Sequence, residues 1–191
     1  MDSQAYVNQK RKALNNLALA ERAGDLDMEL TPLLASINAK AEYYTTSSCS
    51  GRIALMQDLG GKGEDRFIAK WHRTVGAGEV LEALGRAEGN VWFRYEPPIL
   101  HVMALSQAAA SAFLQAARES GFKRSGIQSL KEGRILVEVV STERIDAPVM
   151  ASGIMIADEG YIRWLTEYAG VKAARSRVKI ERLTSLVGGL N

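Results

Sequence analysis

The chain has 191 residues, 47% of them hydrophobic, and 24 Lys and Arg against 22 Asp and Glu leave a formal charge of +2. That length and apolar content are ample for a buried core, and the near-balanced charge excludes a histone-like polycation. The pI of about 8.7 leans basic, and local patches rather than net charge decide whether RNA binds. The single Cys49 excludes an internal disulfide framework and a multi-cysteine zinc site, so no metal is expected. No apolar run reaches membrane-spanning length and no signal-peptide core opens the chain, so a cytoplasmic protein is expected.

In chain order, Ser3 to Ala23 reads as a helix, with Val7, Ala13, Leu14, Leu17 and Ala20 as its apolar stripe. Asp2 or Ser3 can cap it, and Gly24 suits its end. A second helix is predicted from Thr31-Pro32, where proline fits the first helical position. Arg52 to Leu59 reads as a strand, residues 60–65 as a turn, and Arg66 to His72 as the returning hairpin strand. The glycines of that turn are not a dinucleotide fingerprint, because a strand-like segment follows where the fingerprint must open a helix. Gly78 to Glu88 is a short helix, Asn90 to Tyr95 an aromatic strand, and Ile99 to Leu105 a probable central strand by its apolar run. Ser106 caps an Ala-rich helix that Gly121 ends. Phe122 to Leu130 reads as extended, Glu132-Gly133 as a turn, Arg134 to Ser141 as a strong strand and Pro148 to Ile156 as another extended run. Asp158 can cap a last helix over residues 159–186 that carries the cations Lys172, Arg175, Arg177, Lys179 and Arg182.

Strands and helices interleave without the regular alternation of a doubly wound fold. The expected architecture is α+β: a single domain over residues 1–191, with a mixed β-sheet flanked by helices. N-terminal helices cover residues 3–40 and a long helix closes the chain, and the fold is not a standard Rossmann fold.

The stretch from Thr45 to Ile53, TTSSCSGRI, is the most informative. Four hydroxyl residues, a glycine and an arginine between strand-like flanks read as a small polar turn. Such a turn is either an ordinary Ser/Thr-rich hairpin or an anion site. In the second case hydroxyls and backbone N–H groups form a nest, and Arg52 adds a planar fork for carboxylate or phosphate.

This block resembles the Ser-Ser-Cys-small-Gly-Arg signature of the wybutosine-synthesis tRNA methyltransferase family. Further blocks follow in order: Glu96-Pro97 with Leu100-His101-Val102, then Gly121-Phe122-Lys123-Arg124-Ser125-Gly126-Ile127, then Ser141-Thr142 with Pro148, then Tyr161-Ile162 and Ile180-Glu181-Arg182. The resemblance runs from about Asp2 to Leu186. Three positions depart from the family pattern: Pro98 stands where an aromatic is common, Trp71 directly precedes His72, and Gly170 replaces a common asparagine.

The resemblance implies S-adenosylmethionine as cofactor and the anticodon loop of tRNA-Phe as partner. The implied reaction is N4-methylation of a 7-(3-amino-3-carboxypropyl)-4-demethylwyosine base next to the anticodon. It implies cofactor contacts at Ser47, Ser48, Ser50, Gly51, Arg52, Ser125 and Thr142. Substrate or tRNA contacts are expected at His72, Lys123, Arg124 and Arg144, and at Lys172, Arg175, Arg177 and Lys179 as the cationic band of the last helix.

Methylating a ring nitrogen asks mainly for positioning, and for a base only if that nitrogen carries a proton. His101 is the candidate base, against a buried histidine satisfied by backbone. Glu96 is either a contact to the base edge or cofactor ribose, or a turn residue. Cys49 reads as a small filler rather than a nucleophile. Trp92, Phe93 and Tyr95 read as core rather than as a stacking surface. Thr45–Ser50 and Ser125–Gly126 are expected to line one cleft. The alternatives are a non-catalytic tRNA-binding accessory module and a small-molecule phosphate binder.

Overall fold

The structure, a computed structural model, describes residues 3–61, 65–131 and 133–190. In chain order come helix α1 (Ser3–Ala23), a 3-10 turn (Met28–Leu30), α2 (Thr31–Ala39) and strand β1 (Tyr43–Cys49). Then follow β2 (Arg52–Asp58), β3 (Arg66–Trp71), α3 (Ala77–Leu84), β4 (Asn90–Glu96) and β5 (Ile99–Ala104). Helix α4 (Gln107–Glu119), β6 (Gly126–Lys131), β7 (Arg134–Val140), β8 (Ile145–Ala151), β9 (Ile154–Met155) and α5 (Glu159–Gly188) complete the chain. The expected Asp2 cap, the Ser3 side chain offered as its alternative, residues 62–64 and Glu132 lie outside what is described.

The α+β class stands, and the strands divide into two sheets in which every pair is antiparallel, rather than one mixed sheet. The chain forms two compact units, Met1–Ser50 with Pro98–Thr142 and Ser176–Asn191, and Gly51–Pro97 with Glu143–Arg175.

The first unit holds a four-stranded sheet in the order β1-β5-β7-β6. Alternation along its strands points Tyr43, Leu100, Val102, Ala104, Ile135, Val137 and Val139 into one core with α2, α4 and the end of α5. Small residues let α4 approach closely: Ala109, Ala110, Ala116 and Ala117 are buried beside Phe113. Ser106 Oγ accepts from Ala109 N at 3.1 Å as the expected cap. The helix ends at Gly121, whose φ of +102° excludes most side chains. The opposite face of the sheet carries Tyr44, Met103 and Leu136 against Tyr6 and Ala13 of α1. Tyr6 rather than Val7 turns inward, because its phenol reaches Glu42 O at 2.6 Å while Val7 stays exposed.

The second unit holds a five-stranded sheet in the order β3-β2-β4-β8-β9. Ile53, Leu55, Val91, Phe93, Tyr95 and Val149 pack with Val80 and Leu84 of α3 and Ile162, Leu165 and Ala169 of α5. Phe93 and Tyr95 are therefore core. The expected run from Pro148 to Ile156 is a hairpin, β8 to β9, turning at Ser152 (φ 50°) and Gly153 (φ 80°).

Two local readings change. The hydroxyl run is a strand, not a turn: β1 pairs with β5 from Tyr43 opposite Ala104 to Cys49 opposite Ile99, with a bulge between Thr45 and Ser47. The turn itself is only Ser50-Gly51, with Gly51 at φ +101°. Phe122 to Ser125 is a tight turn, closed by Ser125 N donating to Phe122 O at 3.1 Å, and the strand starts at Gly126.

Candidate functional site

The bulge in β1 returns Ser47 to the α1-side face of its sheet, in register with His101. His101 pairs with Glu138, and Glu138 with Gly126. A polar row therefore crosses the sheet beyond the apolar Tyr44–Met103–Leu136 row. Ser47 Oγ lies 2.9 Å from His101 Nδ1, His101 Nε2 lies 3.1 Å from Glu138 Oε1, and Gln128 Nε2 donates to Glu138 Oε2 at 3.0 Å. The tautomer follows from the partners. An ionised carboxylate only accepts, so Nε2 carries the proton, and in the neutral ring Nδ1 then accepts from the Ser47 hydroxyl. This hydroxyl–imidazole–carboxylate chain can take a proton at Ser47 and hold it on the ring beside a negative charge.

Next to the row, a cavity of about 580 Å³ opens between α1 and β1, and Thr45, Thr46, Ser47 and Ser48 form its strand wall. Gln9, Lys12 and Asn16 of α1 face them, Asp25 and Arg134 add charge, and Leu17, Leu26, Tyr44 and Met103 add apolar surface. Thr45 is fixed by Asn38, whose Oδ1 accepts from Thr45 N and whose Nδ2 donates to Thr45 Oγ1, both at 2.9 Å. At the end of the strand, Asp27 Oδ2 accepts from Ser50 N at 2.7 Å.

Arg52 and Glu96, in the second unit, face each other across β2 and β4 and form an ion pair at 2.5 Å. The guanidinium also lies 4.8 Å above the Phe67 ring. Arg52, expected to hold a ligand anion, pairs through its Nε with the carboxylate of Glu96. Further along, Arg94 faces Asp146 at 3.1 Å, and Arg144 binds the same carboxylate. Hydrogen bonding to Asp146 raises the Arg144 pKa above its ordinary value.

The other expected contacts are dispersed. The Ser125 hydroxyl is buried, donates to Phe122 O at 2.7 Å and accepts from Val140 N at 3.2 Å, so both its bonds are spent inside the turn. Thr45–Ser50 and Ser125–Gly126 do not line one cleft, because β1 and β6 are opposite edges of the sheet. They stand instead at the two ends of the Ser47–His101–Glu138 row. Thr142, Lys123, Arg124 and His72 are exposed. On α5, Lys172 binds Glu143 at 3.2 Å with Arg175 3.9 Å from the same carboxylate, and Arg177 binds Glu29 at 3.0 Å. Lys179 donates to Ser141 Oγ at 3.1 Å and lays its chain over Gly121. The expected cationic band is thus largely matched by acceptors within the protein.

The sequence reading did not single out Glu138, Asp27 or Asn38. Glu138 had a signal, as a polar residue alternating with buried valines in RILVEVV. Asp27 and Asn38 had none, since their targets are 23 and 7 residues away.

Residues 8–188 match the family described as Methyltransferase TYW3. A Pyrococcus abyssi protein is 39% identical over 180 residues, covering 93% of each chain, and is named tRNA(Phe) 7-((3-amino-3-carboxypropyl)-4-demethylwyosine(37)-N(4))-methyltransferase 1. A Thermococcus kodakarensis protein of the same name is 40% identical, over 93% of this chain and 91% of its own. The solved structure of the PH1069 protein from Pyrococcus horikoshii superimposes with a TM-score of 0.91 at 37% identity, covering 99% of this chain and 97% of that one. With a family match over nearly its whole length, and relatives at this identity, the chain belongs to the TYW3 methyltransferase family.

Proposed function

We propose that this protein transfers a methyl group from S-adenosylmethionine to N4 of the 7-(3-amino-3-carboxypropyl)-4-demethylwyosine base beside the anticodon of tRNA-Phe. The observation that carries the reading is the near full-length match to relatives named for that reaction, joined to a proton-accepting row beside a hydroxyl-lined cavity. The location that goes with it is cytoplasmic. Among the described residues, no helix is long and apolar enough to cross a membrane.

The cavity's donor set suits the cofactor. Lys12 and Arg134 match a carboxylate, Asp25 an ammonium or ribose, and Leu17, Leu26 and Met103 an adenine face. Ser47 and Ser48 are assigned its polar contacts. Arg52 is assigned to keeping Glu96 in place rather than to gripping the cofactor. When bound, S-adenosylmethionine supplies an electrophilic sulfonium methyl group.

Transfer to a neutral ring N–H leaves a neutral product only if one proton departs. Ser47 is the residue of the row that lines the cavity. It takes that proton as its own passes to His101 Nδ1, and Glu138 stabilises the imidazolium. Glu96 positions Arg52 and takes no part in the transfer.

Isothermal titration with S-adenosylmethionine, followed by methylation of precursor tRNA-Phe, tests the assignment. Cofactor binding together with tRNA-dependent turnover supports it. A protein that binds tRNA but not the cofactor is an accessory module instead.

A further inference from the structure

Helix α5 carries two apolar stripes in the second unit. One, Ile162, Leu165 and Ala169, is buried in the core. The other, Tyr161, Trp164 and Tyr168, is spaced three and then four residues apart and so shares one face of the helix. That second stripe faces solvent, with Tyr161 42% and Trp164 51% exposed. Its rings form a column: Tyr161 and Trp164 have centroids 5.9 Å apart at 13°, and Trp164 and Tyr168 5.0 Å apart at 16°. Lys172 Nζ closes one end, 5.1 Å from the Tyr168 ring, while Tyr161 at the other end stays open. Arg175 follows on the same face, one turn past Lys172, with a side chain 56% exposed.

We propose that this column is a stacking platform for unpaired bases of the RNA substrate, with Arg175 meeting the adjoining phosphate. The inference rests on the tRNA reading above and adds to it a contact surface that nothing in the cavity or the Ser47–His101–Glu138 row supplies.

Three features favour RNA over a protein partner. The first is area. Exposed at these fractions, two rings of about 150–250 Å² each offer well under the roughly 800 Å² per partner of a stable protein interface. That small surface matches one or two bases. The second is ring order. Near-parallel planes continue the geometry of a stacked strand, and a base of any identity can extend it. The third is charge, because the stripe passes from aromatic to cationic along one face. A base followed by its phosphate has that same order, and single-stranded loops are the part of an RNA whose bases can reach out to aromatic side chains.

The test compares wild type, Trp164→Ala, Trp164→Phe and Arg175→Ala in binding to fluorescently labelled precursor tRNA-Phe at two salt concentrations. S-adenosylmethionine affinity and light scattering are measured on the same samples. Trp164→Ala should weaken RNA binding about tenfold or more, with most of the loss recovered in Trp164→Phe. Its salt slope should stay unchanged, because stacking releases no counterions, whereas Arg175→Ala should lower the slope by about one. Cofactor affinity should stay within about twofold of wild type, since Trp164 is assigned no cofactor contact and the loss of an exposed ring is tolerated. Wild-type RNA affinity in Trp164→Ala overturns the platform, as does a dimer in wild type that Trp164→Ala dissociates. A wild-type protein that binds no tRNA removes the tRNA reading itself and the platform with it.

Discussion

Removing the carboxylate behind His101 separates a positioned proton acceptor from an ordinary surface histidine. In Glu138→Gln the side chain keeps its shape but offers one acceptor oxygen where two donors, His101 Nε2 and Gln128 Nε2, now find two. A hydrogen bond to a charged group contributes about 1.5–3 kcal/mol in a dry site. His101 and Glu138 are 32% and 26% exposed, so water takes over part of that role and about 1 kcal/mol remains. If the imidazolium forms during methyl transfer, that loss appears as a rate reduction of about fivefold. His101→Ala removes the acceptor itself and should cost about 10²- to 10⁴-fold. The assay is single-turnover methylation of precursor tRNA-Phe at saturating S-adenosylmethionine across a pH series. A His101→Ala protein within about twofold of wild type at every pH would refute the relay.

Other expectations concern the frame around the site. Arg52→Lys keeps charge but loses the Nε–Glu96 bond and the stacking on Phe67. With both side chains about a quarter exposed it should cost about 1 kcal/mol, or about 2–4 °C in Tm, and calorimetry reads it. Unchanged cofactor affinity in that folded variant agrees with Glu96 as the arginine's partner. Gly121→Ala must adopt φ near +102° and sits 3.3 Å from the Lys179 chain. A loss of about 1–3 kcal/mol in urea unfolding is expected. The Tyr6 phenol, pushed well above its ordinary value by burial first, stays protonated in the folded state. The unfolded chain releases that proton from about pH 10 upward, so stability should fall as pH rises past that point. Tyr6→Phe should soften the fall in alkaline melts, while losing about 1 kcal/mol at neutral pH with the bond to Glu42 O.

The elements were legible where one signal dominated. Ser106 before the Ala-rich run, Pro32 at the start of α2 and Asp158 before α5 placed helix ends because caps are local chemistry. The run from Thr45 to Ser48 misled because small hydroxyl residues suit turns and edge strands alike. Only pairing with β5, more than 50 residues on, decides between them. The division into two sheets was hidden for the same reason, since β1 and β2 are two residues apart in sequence but take different partners. Of the site, His101 was visible as a titratable residue in an apolar strand, and Ser47 as part of the signature. Their contact was not visible, because it depends on a bulge that shifts the strand by one residue. Arg52 was visible as a fork for a carboxylate. That the carboxylate is the protein's own Glu96 depends on a register 44 residues away.

The central claim is tested most directly by product analysis. Purified protein is incubated with methyl-labelled S-adenosylmethionine and tRNA-Phe whose base beside the anticodon is 7-(3-amino-3-carboxypropyl)-4-demethylwyosine, and the nuclease digest is read by tandem mass spectrometry. The account predicts one labelled methyl group on N4 of that base and none on tRNA lacking it. A folded protein that leaves the confirmed substrate unlabelled, or places the label on another atom, would contradict it.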